Sequence, residues 1–148
     1  MALKPMTFNI TLNTKTPLLY ETIYKEQLKY FQHFDPTIDE LHPGVAVAAE
    51  MLTKVQKEGV PTNVEVTDLE PDRTFETRVS YSQGDIVMRY ALQPAGDQTK
   101  VFYSEQNSFN KANMMTNFWL VSWFYTFMYK HNLKKRMKTI EQIANAAQ

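Results

Sequence analysis

The chain of 148 residues has no cysteine, only four glycines and three histidines, and no surplus of charge, its 16 basic side chains matching its 16 acidic ones. Without thiols there can be no disulfide framework, zinc–thiolate site, iron–sulfur cluster or cysteine nucleophile, and a reducing cytoplasm is the expected compartment. The glycines, Gly44, Gly59, Gly84 and Gly96, stand singly at turns. No glycine-rich loop is therefore available to cradle a phosphate, which excludes a P-loop or Rossmann nucleotide site. Balanced charge argues against nucleic acid as a partner, since phosphate contacts need a basic surplus. Residues Met1 to Asn13 carry no apolar stretch after Lys4, which argues against a secretory signal. No internal repeat or low-complexity linker divides the chain, so a single domain over 1–148 is expected. At this length folding removes roughly two-thirds of the unfolded chain's surface from water, enough for a core without staples.

The candidates for chemistry are equally sparse. His33, His42 and His131 have no partner one helical turn away and no acidic neighbour at ligand spacing, so no metal and no cofactor is expected. Asp35, Asp39 and Glu40 flank Pro36 and read as caps rather than as an acid–base pair. No serine occupies a nucleophile-elbow context. Glu76, Arg78, Arg89 and Glu105 fall on neighbouring predicted strands and read as cross-strand pairs on the wet face, each contributing at most about 1 kcal/mol.

What is present is periodicity. Met6 to Asn13 alternates apolar and polar residues, which predicts a strand. Thr16-Pro17 reads as an N-cap followed by proline at the first helical position, and Leu18, Leu19, Ile23, Leu28 and Phe31 continue a helix to about Gln32. Asp35 to Leu41 offers a second, short proline-initiated helix that His42-Pro43-Gly44 stops. Val45 to Lys57 is helical on alanine propensity but alternates through Val45, Val47, Ala49 and Met51. From Val64 onward, Val64/Val66, Phe75/Thr77/Val79/Tyr81, Ile86/Met88/Tyr90/Leu92 and Val101/Tyr103 each mark one apolar face. Turns at Glu70 to Arg73, Ser82 to Asp85 and Pro94 to Asp97 separate them at hairpin distance, predicting an antiparallel meander with one dry side. Met114 to Ala147 lacks proline and glycine and predicts one long helix, its second half carrying Leu133, Met137, Ile140, Ala144 and Ala147 as a narrow apolar stripe.

The first half of that helix, Phe118 to Tyr129, holds seven of the chain's nineteen aromatics and is apolar on nearly every side. Its twelve residues span about 18 Å as a helix, short of a bilayer core of roughly 30 Å, so it is not a spanning segment.

Phe8-Asn9-Ile10 before Thr16-Pro17, Ile38 to Gly44, the Val64 to Leu69 strand before Glu70-Pro71, Tyr81 to Asp85, Val101 to Glu105 and the basic stretch from Lys130 to Ile143 resemble the START-like, Bet v 1-type helix-grip superfamily. Within it the chain is similar to a small bacterial family of unknown function. The resemblance implies an α+β fold in which an antiparallel curved sheet of about six strands wraps a long C-terminal helix, with two short N-terminal helices between strand one and the meander. It also implies a strand at Val45 to Lys54. None of these segments is a catalytic motif, so the resemblance speaks to fold more than to activity.

Three uses of the aromatic half-helix follow. It can be core. By resemblance it can wall a cavity between sheet and helix, with Tyr81, Met88, Tyr90, Tyr103, Phe118, Trp119 and Trp123 lining a site for a small apolar or amphipathic molecule. It can also use its surplus face outside the fold. Lys130, Lys134, Lys135, Arg136 and Lys138 follow it as a basic patch, and residues 113–148 carry net +4 against −4 for residues 1–112. That asymmetry permits peripheral membrane contact or a homodimer. The sequence therefore predicts a non-catalytic binder of a small apolar or amphipathic ligand, with an interaction protein using the C-terminal helix as the rival reading.

Overall fold

Period-two alternation in the sequence becomes a single antiparallel sheet. The computed structural model describes residues 6–51, 60–81, 84–109 and 133–147. Its elements run β1 (Met6–Leu12), α1 (Thr16–Phe34), β2 (Ala46–Met51), β3 (Val60–Glu70), β4 (Thr74–Tyr81), β5 (Gly84–Ala95) and β6 (Gln98–Phe109). A C-terminal helix, α2, is described over 133–146. The strand order is β1-β6-β5-β4-β3-β2, so the last strand of the meander pairs with the first of the chain, and β1 and β2 form the open edges. Phe75, Thr77 and Val79 are buried while Arg78 is exposed, as one dry and one wet face require.

Two connections of the meander are short. Gly96 and Asp97 alone join β5 to β6, and Gly96 takes φ 67°, the left-handed conformation a two-residue hairpin loop favours. Asp72 supplies the same conformation, φ 65°, in the three-residue β3–β4 turn. In β3 the register slips between Val66 and Asp68. This bulge puts the side chains of both Thr67 and Asp68 on the wet face and lets Leu69 resume the dry one.

The expectation of a strand rather than a helix at Val45 to Lys54 holds over Ala46–Met51. Val47 and Ala49 are buried and Ala46 and Ala48 less so, and pairing with β3 overrides alanine's helical preference. Residues 52–59 lie outside the described part.

The second short N-terminal helix is absent; α1 is the only helix between β1 and β2 among the described residues. Asp35, extended at φ −143° and ψ 94°, ends α1, as a residue before proline prefers. Its Oδ1 then accepts from the Thr37 amide at 3.1 Å and the Thr37 hydroxyl at 2.6 Å. Farther along, the Ile38 carbonyl accepts from Gln32 Nε2 at 2.9 Å and the Leu41 amide donates to Tyr24 Oη at 2.9 Å. Side chains of α1 thus satisfy backbone groups that a helix would have paired.

The start of α1 also differs from expectation. Lys15 is the N-cap, with no side-chain cap bond, and proline falls in the first turn after Thr16. The Thr16 hydroxyl is instead buried against Thr99 Oγ1 at 2.7 Å. Thr99 spends its own proton on the Thr14 carbonyl at 2.7 Å, so Thr16 is the donor of the pair.

The core lies between the sheet, α1 and α2, and joins Leu12, Leu19, Ile23, Phe31, Val66, Phe75, Val101 and Met137, each no more than 2% exposed. Leu133, Met137, Ile140 and Ala144 of α2 are buried as the stripe predicts, whereas Ala147 is exposed. Side chains tie α2 to the β1–α1 loop: the Asn13 amide donates to Glu141 Oε2 at 2.7 Å, Thr14 Oγ1 to Asn145 Oδ1 at 3.0 Å, and Asn145 Nδ2 to the Asn13 carbonyl at 3.2 Å. That fixes which residues of α2 the sheet meets. Among the described residues no helix is long and apolar enough to cross a membrane.

Candidate functional site

The strand registers arrange the dry face in cross-strand rows. Ile10, Val101 and Leu92 form one apolar row, and Phe8, Tyr103, Tyr90 and Phe75 the next. Beyond it come Met6, Glu105, Met88, Thr77 and Val66, and then Asn107, Ile86, Val79, Val64 and Val47. Polarity enters at the second row and continues through the third and fourth.

At the centre, Tyr90 and Tyr103 meet edge to face with ring centroids 4.9 Å apart. Arg136, one residue before the buried Met137, is exposed as a residue, yet its guanidinium reaches inward: Nη2 donates to Tyr90 Oη at 3.1 Å and the group lies 5.7 Å from the centroid of the Tyr103 ring. Tyr103 Oη donates to Glu105 Oε1 at 3.3 Å. Both residues are nearly inaccessible, Tyr103 at 2% and Glu105 at 4% exposure. The result is a cation, two phenols and a carboxylate linked on an otherwise apolar face.

The electrostatics follow from that mixture. Burial pushes the Tyr90 phenol above its ordinary range, while the neighbouring Arg136 cation works the other way. Burial disfavours the Arg136 charge, but Tyr90, Tyr103 and Glu105 outweigh it, and the guanidinium is held above its usual value. It stays charged. Burial, helped by Asp85, raises Tyr81 as well.

Of the seven residues expected to line a cavity, Tyr90 and Tyr103 lie together at the centre of this face. Met88 sits in the next row, and Tyr81, half-buried at the end of β4, pairs in register with Gly84. Phe118, Trp119 and Trp123 lie outside the described residues, as do Lys130 and His131. In the basic patch Lys134, Lys135 and Lys138 are exposed, but Arg136 directs its charge into the fold.

Glu105 corrects the sequence reading, which puts it on the wet face. It is two residues from Tyr103 and must share that residue's face, so the strand period identifies it although its charge does not. The remaining acidic and basic residues do gather outside: Arg89 Nη1 bonds Glu76 Oε2 at 3.0 Å and Asp68 Oδ2 at 3.1 Å, and Thr67 donates to Glu76 Oε1 at 2.8 Å. Arg78 is exposed on the same side. Asp68 escapes sequence reasoning because only the bulge turns it outward. Asp35 binds a turn rather than a second helix, and those Thr37 bonds hold its carboxyl below the usual range. Among the described residues no cluster of three or more His, Asp or Glu side chains could hold a metal ion.

The same architecture occurs in solved structures of very different sequence. The crystal structure of Ara h 8.0201 is similar over 99% of both chains, with a TM-score of 0.62 at 10% identity. Zhui aromatase/cyclase from Streptomyces sp. R1128 is similar over 98% of this chain and 94% of its own, with a TM-score of 0.65 at 13% identity. Norcoclaurine synthase from Thalictrum flavum, solved in complex with dopamine and hydroxybenzaldehyde, is similar over 100% of this chain and 89% of its own, with a TM-score of 0.65 at 7% identity. The fold is thus that of the Bet v 1-type helix-grip superfamily, and at these identities the likeness concerns fold alone. No curated protein matches the sequence. The family described as a domain of unknown function (DUF3284) matches residues 6–126.

Proposed function

The chain belongs to DUF3284, a family whose description names no activity, and from that premise and its helix-grip fold we propose that it binds a small, largely apolar molecule between the sheet and the C-terminal helix. The observation that carries this reading is the dry face itself. Rows of apolar side chains there are interrupted at their centre by Tyr90, Tyr103, Glu105 and Arg136. Ligand sites are mostly apolar with a few placed polar groups, and a face needed only for packing gains nothing from a carboxylate at 4% exposure. Met88 and Tyr81 extend the lining, and Phe118, Trp119 and Trp123 are assigned to its helical wall.

Binding without turnover is the reading we favour, because Tyr103 is engaged with Glu105 and Arg136 with Tyr90, a pattern suited to holding shape and charge. The absence of cysteine from the sequence agrees with a cytoplasmic setting. Native mass spectrometry of the protein purified from cells tests the proposal. A reproducible non-covalent adduct, exchangeable for the neutral probe N-phenylnaphthylamine at one site per chain, is the expected result. A bare chain mass together with no saturable uptake of that probe overturns it.

A further inference from the structure

Two buried hydroxyls on the dry face have hydrogen-bonding capacity that no described residue takes up. Tyr90, 6% exposed, accepts from Arg136, and its own proton has no acceptor among the described residues. Thr77, 5% exposed, has no hydrogen-bond partner for its hydroxyl among the described residues. Thr62, buried like Thr77, by contrast donates its proton to the Ala49 carbonyl at 3.1 Å. The register makes them neighbours: Thr77 faces Met88 and Phe75 faces Tyr90, which sets Thr77 and Tyr90 diagonally across the β4–β5 pair. A buried donor without an acceptor keeps the whole desolvation penalty of its polar group. Two such donors on one face, beside a guanidinium, are an arrangement that an acceptor atom would complete.

We propose that Tyr90, Thr77 and Arg136 receive a neutral acceptor oxygen, of the carbonyl class, at the polar end of the otherwise apolar ligand. This deepens the binding reading above and rests on it. The choice of a neutral oxygen over an anion follows from charge. Arg136 already has the Glu105 carboxylate in its surroundings, so a second carboxylate would be repelled, whereas a carbonyl needs only the donors. A ligand ammonium would instead place a cation beside Arg136.

Equilibrium dialysis of the full chain against three naphthalenes of nearly one shape separates the possibilities: ethylnaphthalene without a polar atom, acetylnaphthalene with a carbonyl, and naphthylethylamine with a cation. Acetylnaphthalene is expected to bind about tenfold tighter than ethylnaphthalene, the increment of roughly one net hydrogen bond. Naphthylethylamine is expected to bind more weakly than either. Tyr90→Phe should remove most of the carbonyl increment, read as the ratio of acetylnaphthalene to ethylnaphthalene affinity within the variant. Thr77→Val is nearly isosteric and breaks no hydrogen bond to Arg136, so it provides a second variant should Tyr90→Phe perturb the fold. Equal binding of ethylnaphthalene and acetylnaphthalene, tightest binding of the amine, or a carbonyl increment that survives in both variants overturns this assignment and leaves the binding reading standing. No uptake of any of the three overturns both.

Discussion

Arg89 and Arg136 build polar clusters on opposite faces of one sheet, and the two clusters are satisfied differently. On the wet face Arg89 bridges Asp68 and Glu76, with the three side chains 37%, 39% and 23% exposed, and every charge has an opposite partner and remains open to solvent. On the dry face Arg136 meets two phenols, and one of these passes its proton to Glu105. The outer cluster is closed upon itself. The inner one leaves the Tyr90 proton and the Thr77 hydroxyl without acceptors among the described residues. Solvent makes the difference, because an exposed donor can always turn to water while a buried one needs a partner of fixed position.

The contrast is sharpest along β6, where adjacent residues sample both faces. Tyr103 is 2% exposed and Phe102 is 40% exposed. Replacing Tyr103 by alanine should cost about 3–5 kcal/mol, the loss typical of a fully buried aromatic. Phe102→Ala should cost no more than about 0.5 kcal/mol. Urea unfolding of the two variants measures both, and similar losses would erase the distinction between the faces.

A smaller effect separates the arginines themselves. Arg136→Met removes a charge-assisted hydrogen bond to Tyr90 and the cation over Tyr103, an expected loss of about 2 kcal/mol that added salt changes little. Arg89→Met breaks two half-exposed ion pairs, for about 1 kcal/mol or less, and this loss should shrink further as salt rises from low to high ionic strength. Denaturation midpoints at two salt concentrations read the difference.

Which parts of this contrast the sequence can supply depends on the range of the interactions involved. Strand alternation is local, so the pattern of β5 and β6 alone assigns Tyr90, Tyr103 and Met88 to one face, and the family likeness decides for a strand at Ala46–Met51. The expected second helix does not form because Tyr24 and Gln32, on another element, take the backbone bonds of residues 38–41. Arg136 reads as surface charge, since its position beside Met137 says nothing of how far a long side chain reaches back. Asp68 needs a bulge that leaves no clear mark in composition. Phe118, Trp119 and Trp123, the most conspicuous residues of the sequence, lie outside the described residues, so their lining role stays a proposal.

Tyr20 offers a test through pH. Burial, with Asp68 and then Asp72 nearby, pushes its phenol up to about 12, and burial raises Tyr90 against the pull of Arg136. A phenol raised in the folded state stays neutral while the unfolded chain begins to ionise near its ordinary value of 10.0. Its contribution is therefore complete below pH 10 and is lost as the pH climbs towards the folded value. Thermal unfolding midpoints should fall across this alkaline window. Tyr20→Phe, which gives up the bond to the Thr74 carbonyl at 2.8 Å, should lower the midpoint at neutral pH yet flatten its alkaline decline. An unchanged slope would show that Tyr20 ionises alike in both states.

The smallest effects belong to the outer basic residues of α2. Lys134 and Lys135 are exposed and have no ion pair among the described residues, while Lys138 lies 3.7 Å from Glu141. Charge reversal of Lys134 and Lys135 together should alter stability by no more than about 0.5 kcal/mol. It should also leave sedimentation with anionic phospholipid vesicles unchanged, because the inward turn of Arg136 takes one charge out of the patch. Lys138→Glu should cost slightly more, since it sets a like charge against Glu141, whose carboxylate anchors the Asn13 amide at 2.7 Å. Vesicle binding by the wild type that the double reversal abolishes would move the functional weight of α2 from its inner face to its outer one.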